Sequence, residues 1–205
     1  APMFKVHHVA ELDLSIKQAH WPFAAENAEA IAAYFAELKA AKPAIWNGRV
    51  LQCRNRRLEN SAYRADYFET NFASFMAWRD WAPPADGVTH CFAGGALQSA
   101  DGVFVLGRMA DHTANAGRVY FPAGTPEPGD IHGSRVDLAA SVAREMREET
   151  SLTPDDYAVQ SGWVVVEDDR FTACYQRLVA HLPAEPLLSK INAFLRSETQ
   201  PELLL

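Results

Sequence analysis

The order of hydrophobic and polar positions predicts a chain in which helices and strands alternate irregularly. Segments with helical spacing, good helix formers and a stop signal predict helices, and runs rich in β-branched and aromatic residues predict strands. The predicted helices are 24–42, 71–81, 137–150 and 187–197. The predicted strands are 49–58, 61–70, 90–99, 103–110 and 117–124, with one or two more in 163–182. This order favours a layered α/β or α+β domain over a regular parallel fold.

Two local signals refine this organisation. Asn47-Gly48 is the strongest short-range signal for a hairpin turn in the chain. Pro83-Pro84 interrupts the pattern and predicts a boundary there. We therefore predict that residues 1–85 form an N-terminal extension, which packs on a core formed by residues 86–205.

Composition and charge exclude several classes of protein. The chain has 205 residues, of which 48% are hydrophobic, which is enough for a buried core. Its net charge of −7 argues against a non-specific nucleic-acid or membrane binder, because either would need a basic face. No apolar run approaches the roughly 20 residues of a membrane span, and the start of the chain shows no secretory leader. We expect neither a membrane nor a nucleic acid as a partner.

The three cysteines bear on the cellular compartment. Cys53, Cys91 and Cys174 are odd in number and far apart in the sequence. They match neither the spacing of a zinc site nor a disulfide framework. A reducing cytoplasm is therefore the expected location.

The predicted helix 137–150 carries three acids where the core should lie. At about 100° per residue, Glu149 lies about 40° from Glu145, and Glu148 lies about 60° away on the other side. The apolar positions of the same helix fall on the side of Glu145 and Glu149; they are Leu138, Val142 and Met146. An acidic run normally forms a solvated face opposite the apolar stripe, whereas here two of the acids overlap the stripe.

This arrangement is unfavourable unless something compensates for it. Like charges at neighbouring helical positions each cost roughly 0.2–0.5 kcal/mol. Acids in the last turn also oppose the helix dipole, at roughly 0.3–1 kcal/mol each. Arg144 and Arg147 offset part of this repulsion. A hard divalent cation among the carboxylates would remove the rest, and oxygen ligands favour magnesium, manganese or calcium over zinc.

The segment before this helix makes the motif specific. A loop rich in Gly and Pro, 122–130, contains Gly124 and, after five further residues, Asp130. The helix then supplies Arg-Glu-Met-Arg-Glu-Glu, followed by Thr-Ser-Leu, at 144–152. The combination resembles the Nudix box, with Asp130 in place of Glu, Ser151 in place of Gly, and a spacer of thirteen residues, 131–143, in place of seven.

The resemblance to the Nudix hydrolases implies a fold, an activity and a set of roles. The implied fold is an α/β/α sandwich with a mixed sheet, here within about 88–185. The implied activity is hydrolysis of the pyrophosphate bond of a nucleoside diphosphate linked to another moiety, with Mg2+ or Mn2+ as cofactor. The implied metal ligands are Glu145, Glu148, Glu149 and the backbone carbonyl of Ala123, with Glu145 and Glu149 central to catalysis. Arg144 would orient the glutamates.

Further candidates lie outside the helix, each with a plainer alternative. Glu167 is a candidate general base, but it also fits an ordinary acid in a turn. His112 and Asn115 are candidate substrate contacts, although they fit a polar hairpin loop equally well. Gly124, in the Gly- and Pro-rich loop, is a further candidate substrate contact. The longer spacer predicts an irregular loop at 130–138 near the substrate entrance.

Several alternatives stay open at this point. The substrate class includes nucleotide sugars, compounds like ADP-ribose, and nucleoside triphosphates. The partner is expected to be a small nucleotide, and a homodimer is an open arrangement. A Nudix-fold nucleotide-binding or regulatory module without hydrolysis is the competing function. A structural protein with an acidic surface helix is a third interpretation, which the helical wheel opposes.

Overall fold

The computed structural model describes residues 3–113, 115–199 and 201–204. Its five α-helices, in chain order, are α1 Pro22–Glu26, α2 Ala28–Ala41, α3 Phe72–Trp81, α4 Leu138–Thr150 and α5 Ala184–Ser197. Among the described residues, no helix combines the length and the hydrophobicity that crossing a membrane requires.

The strands are more numerous than the sequence predicted. In chain order they are β1 Lys5–Val9, β2 Glu11–Ile16, β3 Arg49–Glu59, β4 Ala62–Asn71, β5 His90–Gln98, β6 Gly107–Met109, β7 Val119–Tyr120, β8 Ala123–Gly124, β9 Ile131–His132, β10 Arg135–Val136, β11 Tyr157–Val159, β12 Trp163–Glu167, β13 Phe171–Ala180 and β14 Leu203–Leu204.

The strands form three sheets, two of which are mixed. The largest has the order β1-β12-β13-β5-β8, and β11 also pairs with β13. In it β13 and β5 run parallel, while the other pairs are antiparallel. The second sheet has the order β3-β4-β2-β10-β9, and the third has the order β14-β6-β7. The prediction of a mixed α/β fold is confirmed.

The residues before the Pro-Pro pair contribute to both large sheets. β1 pairs with β12 along its whole length. β2 pairs with β4 on one side and with β10, from the middle of the chain, on the other. Because a sheet joins its strands through backbone hydrogen bonds, segments 1–85 and 86–205 contact each other through main chain as well as side chains. The boundary near residue 85 stays a prediction.

Helix α4 shows why the sequence pattern identified its ends and its buried face. Its N-cap is Asp137, whose Oδ1 accepts a hydrogen bond from the Ala140 amide at 3.0 Å, as the N-cap role requires. Its apolar face packs against β5, where the absence of a side chain at Gly95 leaves room for Met146. Its last residue is Thr150 and its C-cap is Ser151. Ser151 has φ 65° and ψ 0°, which is the left-handed conformation that favours glycine.

The hairpin predicted at Asn47-Gly48 is wrong. These residues instead precede β3 and fix the start of α3. Asn47 Oδ1 accepts a hydrogen bond from the Ala73 amide at 2.8 Å, and the Gly48 carbonyl accepts one from Phe72 at 2.9 Å. The same polar backbone and side-chain groups that form a tight turn are here used to cap a distant helix.

The irregular loop predicted at 130–138 is also wrong. After a 3-10 turn at Pro128–Asp130, the chain forms a short hairpin of β9 and β10 around Gly133, whose φ is 63°. The hairpin joins the second sheet because Arg135 pairs with Ser15 of β2, and its side chain forms an ion pair with Asp13. The extra residues of the spacer are therefore ordered by a strand that lies far away in sequence.

Two predicted strands are shorter than expected. Within 103–110 only Gly107–Met109 forms a strand, and 117–124 is divided into β7 and β8. The division is useful to the fold, since β7 pairs with β6 whereas β8 pairs with β5. The two halves of one apolar run thus serve two different sheets.

Candidate acidic site on helix α4

The acids of α4 divide into two that face the core and one that faces solvent. Glu145 is 8% exposed and Glu149 is 5% exposed. The side chain of Glu148 is 57% exposed. The expectation that Glu145 and Glu149 follow the apolar stripe is confirmed, and helical geometry explains it, because residues four apart lie on the same face.

Gly124 supplies the space that the Glu145 carboxylate occupies. A Cβ atom at this position would lie 2.7 Å from Glu145 Oε2, and closer still to Oε1 and Cδ. No side chain fits there unless the carboxylate moves. β8 brings Gly124 to this position by pairing with Ala93 of β5, the strand on which α4 packs. The two halves of the sequence motif therefore meet at this contact.

Arg144 joins the acids to the preceding loop. Its Nη1 donates to Glu145 Oε1 at 2.7 Å, and its Nη2 donates to Asp130 Oδ2 at 3.1 Å. Asp130 is only 2% exposed, and its Oδ2 also accepts from the Glu127 amide at 2.9 Å. Charge-assisted hydrogen bonds of this kind stabilise the ionised side chains and also fix their orientation. Asp130 thus holds Arg144, and Arg144 holds Glu145.

The buried carboxylate of Glu149 has the fewer favourable polar contacts of the two buried acids of α4. Its Oε2 is buried and has no hydrogen-bond partner within the part of the chain that the structure describes. Burial raises the pKa of Glu149 to about 9, and the charges of Glu145 and Glu202 act in the same direction. A backbone hydrogen bond from Ala123 offsets part of this rise in the pKa. A buried carboxylate without a partner is costly, so this oxygen is a position where a cation would be stabilising.

Glu145 is perturbed in the same direction but less strongly. Burial raises the pKa of Glu145 to about 7, while the adjacent guanidinium of Arg144 acts against that rise. Glu148 and Glu202 raise the pKa further by like-charge repulsion. The ionised pair Glu145–Glu149 is therefore unfavourable in the metal-free protein.

A cavity of about 170 Å³ opens beside these carboxylates. It lies between α4 on one side and the end of α5 with the segment that follows it on the other. Its lining consists of Glu145, Glu148, Glu149, Phe194, Leu195, Glu198, Pro201 and Glu202. Five of these eight residues are glutamates, and only the three from α4 are predicted site residues.

The donor set suits a hard cation, although the carboxylates are not gathered around one point. Among the described residues, no three His, Cys, Asp or Glu side chains lie close enough together to hold a metal ion as they stand. The unpaired oxygen of Glu149 and the space at Gly124 nevertheless give two carboxylates that converge on one cavity. Carboxylate oxygens are the ligands that magnesium and manganese take. The residues present fit such an ion in chemistry and in burial.

Glu167 lies in a different network. Its Oε2 accepts a hydrogen bond from the Tyr63 hydroxyl at 2.6 Å, and its Oε1 lies 3.1 Å from His7 Nε2. The pKa of Glu167 is lowered; burial alone would raise it, and the hydrogen bonds from Tyr63 and His7 outweigh that effect. Glu167 is not part of the described lining of the acidic cavity. The contacts that it does make tie β1 and β4 to β12.

His112 and Asn115 occupy the turn between β6 and β7. Asn115 Oδ1 accepts a hydrogen bond from Arg79 Nη1 of α3 at 3.2 Å. The carbonyl of Thr113 accepts another from the Lys42 side chain at the end of α2. The described lining of the cavity includes neither His112 nor Asn115, so the structure does not place them with the acids.

Glu202 is one of the two cavity glutamates that sequence reasoning missed, and the other is Glu198. Glu202 belongs to no motif and follows the last predicted helix. Its backbone carbonyl accepts a hydrogen bond from the Ala110 amide at 2.8 Å, directly before β14 pairs with β6. Only this long-range pairing brings residue 202 beside α4, and no local pattern announces it.

The comparisons with known proteins give structural similarity but no match to a family model or to a curated protein. Among solved structures, the MutT protein from Methanosarcina mazei Go1 aligns with 47% of this chain, at 22% identity and a TM-score of 0.34. The alignment spans 65% of the length of that protein. The resemblance to the Nudix box thus depends on the motif residues and on their geometry.

Proposed function

We propose that this protein is a divalent-metal-dependent hydrolase of the Nudix type. It would cleave the pyrophosphate bond of a nucleoside diphosphate that is linked to another moiety. The observation that carries the proposal is the buried carboxylate pair Glu145 and Glu149. Glu145 lies against Gly124, and one Glu149 oxygen is unpaired among the described residues. Such a pair is costly by itself and becomes favourable when a cation lies between the oxygens.

The proposed metal ligands are Glu145, Glu148, Glu149 and the backbone carbonyl of Ala123. The ion would be Mg2+, with Mn2+ as a substitute. When bound, it supplies charge neutralisation at the pyrophosphate and lowers the pKa of a coordinated water. An acidic protein can therefore bind an anionic substrate, since the attraction comes from the metal and not from the net charge of −7.

The protein's own residues supply the orientation. Arg144 is held between Asp130 and Glu145, so the Glu145 carboxylate is fixed before any ion arrives. Gly124 keeps the backbone of β8 close enough for that carboxylate to lie over it. Catalytic groups held in place by such contacts lose little entropy when the substrate binds.

The experiment that tests the proposal is a panel of nucleotides with magnesium, scored for release of a mononucleotide or phosphate. The panel should contain nucleotide sugars, ADP-ribose and nucleoside triphosphates. We expect turnover of at least one class, dependence on the metal, and loss of turnover in Glu149→Gln. Glu37→Gln, which removes an exposed carboxylate of α2, is the matched control and should behave as wild type.

Two results would contradict the proposal. Turnover that persists when all divalent metal is removed would show that the carboxylates do not act through an ion. Metal-dependent nucleotide binding without turnover on any substrate would instead favour a Nudix-fold binding or regulatory module. That alternative predicts the same effect of Glu149→Gln on binding, so turnover is the deciding measurement.

A further inference from the structure

The segment after α5 crosses back over the acidic site. α5 ends at Ser197, and the chain then passes Pro201 and Glu202 before it forms β14. The crossing is fixed by backbone hydrogen bonds, because the Ala110 amide donates to the Glu202 carbonyl and β14 pairs with Arg108 and Met109 of β6. The position of Glu202 at the cavity is therefore tied to the pairing of β14 with β6.

Electrostatics alone would not favour this position. The cavity already contains two nearly buried carboxylates from α4, Glu145 and Glu149. A further carboxylate beside them adds like-charge repulsion without a cationic side chain in the described lining of the cavity. Independently, the Oε2 of Glu149, on a residue that is 5% exposed, has no hydrogen-bond partner among the described residues, which favours a positively charged ligand at this cavity.

We propose that Glu202 is a further metal-binding carboxylate, which the segment after α5 contributes to the cation site of α4. This inference rests on the proposed function and extends it, because it assigns a ligand outside the sequence motif. Glu202 would contribute a carboxylate from the side of the cavity opposite α4.

The size of the cavity explains how separated carboxylates can share one ion. Its volume of about 170 Å³ compares with roughly 30 Å³ for a water molecule in the liquid. There is thus room for an ion that keeps part of its water shell. Magnesium dehydrates reluctantly and usually keeps several waters, so a carboxylate can bind it directly or through one of those waters. Glu202 need not touch Glu149 to bind the same ion.

Glu198 provides an internal comparison. Like Glu202 it is exposed, lines the same cavity and carries the same charge. Its backbone amide donates to the Leu195 carbonyl as the C-cap of α5, so it directly follows the helix and does not lie on the pairing segment. The backbone of Glu202 is instead held by the Ala110 amide, directly before β14 pairs with β6.

The test is a titration of the 205-residue chain with Mn2+, in which free Mn2+ is measured by electron paramagnetic resonance. Four variants are compared with wild type at one pH: Glu149→Gln, Glu202→Gln, Glu202→Asp and Glu198→Gln. We expect Glu202→Gln to weaken Mn2+ binding about tenfold, as loss of a supporting carboxylate at a metal site does. Glu202→Asp should recover part of that loss, and Glu198→Gln should change the affinity less than about twofold.

The outcomes separate this inference from the proposed function. If wild type binds no Mn2+, the metal site on α4 is wrong, and the role of Glu202 falls with it. If wild type binds Mn2+ and Glu149→Gln does not, the proposed metal site on α4 is supported. An unchanged Mn2+ affinity of Glu202→Gln would then overturn only the proposed role of Glu202. Equal losses in Glu202→Gln and Glu198→Gln would also overturn it, since they would show a general effect of charge at the cavity.

Discussion

Replacing Glu149 by glutamine should make the metal-free protein more stable while it removes activity. Glutamine keeps the size of the side chain and removes the charge from a residue that is 5% exposed. The substitution also ends the repulsion between Glu149 and Glu145, which contributes to the raised pKa of Glu149. A carboxyl at this buried position must either carry an unfavourable charge or take up a proton on folding, so a neutral side chain of the same size should be a gain.

The magnitude follows from the pKa of Glu149, which is about 9 in the folded protein against an ordinary value of 4.5. A raised pKa means that the folded state binds the proton more tightly, so stability is greatest below pH 4.5 and is lost as the pH rises toward 9. At about pH 7 the carboxyl must take up a proton on folding, which costs on the order of 3 kcal/mol. Glutamine avoids this cost.

The assay is thermal unfolding at two pH values, without metal. For a chain of this length, 3 kcal/mol corresponds to a rise in Tm of about 6 to 12 °C at about pH 7. At about pH 5 the gain should be less than about 1 kcal/mol, because the wild-type glutamate takes up its proton there at little cost. Glu148→Gln is the matched control, since that side chain is 57% exposed, and it should change stability by less than about 0.5 kcal/mol at either pH.

Magnesium should reverse the order of the two proteins. A ligand that binds only the folded state stabilises it, so magnesium should raise the Tm of wild type and raise that of Glu149→Gln much less. The reasoning would be refuted if Glu149→Gln lost several kcal/mol of stability without metal, or if its gain were the same at both pH values. Wild-type turnover in the variant would refute the functional part.

Three further substitutions and one deletion test individual parts of the site and the fold. Gly124→Ala should reduce turnover at least tenfold while the protein still folds, because the added methyl group displaces the Glu145 carboxylate. A change in steady-state turnover below twofold would show that the contact between Gly124 and Glu145 does not matter for activity. Ser151→Gly should raise the free energy of unfolding, measured in urea, by up to about 1 kcal/mol at unchanged turnover. The reason is that Ser151 has φ 65°, a left-handed conformation that glycine adopts more easily than serine. A loss of stability would show that the serine is not strained. Glu167→Gln should lower the free energy of unfolding by about 1–3 kcal/mol, because it removes a hydrogen-bonded carboxylate. The loss should be largest at neutral pH, since the pKa of Glu167 is lowered and the stabilisation by its ionised form disappears as the pH falls. Loss of turnover in the folded variant would instead support Glu167 as the general base. Deletion of the hairpin 131–136 should lower the Tm, since it removes two strands from a sheet, and a shift in substrate preference at unchanged Tm would contradict this structural role.

Sequence reasoning was most accurate where the causes are local. The buried face of α4, the position of Glu145 and Glu149 on it, and its start at Asp137 follow from side-chain periodicity and from a cap within a few residues. The left-handed conformation at Ser151, where the motif has glycine, also has a local cause, since the end of the helix itself requires it. Interactions of this range are contained in a short window of sequence, so a pattern can describe them.

The tertiary structure decided what depends on distant partners. Nothing in residues 131–136 shows that they will pair with β2, because a free strand edge elsewhere in the chain determines that pairing. The Asn47-Gly48 signal was overridden in the same way, since its polar groups found partners at the start of α3. Glu202 reaches the acidic cavity only because β14 pairs with β6. Long-range pairing is selected by the whole fold, and a local sequence therefore specifies which residues can form a site but not which segments complete it.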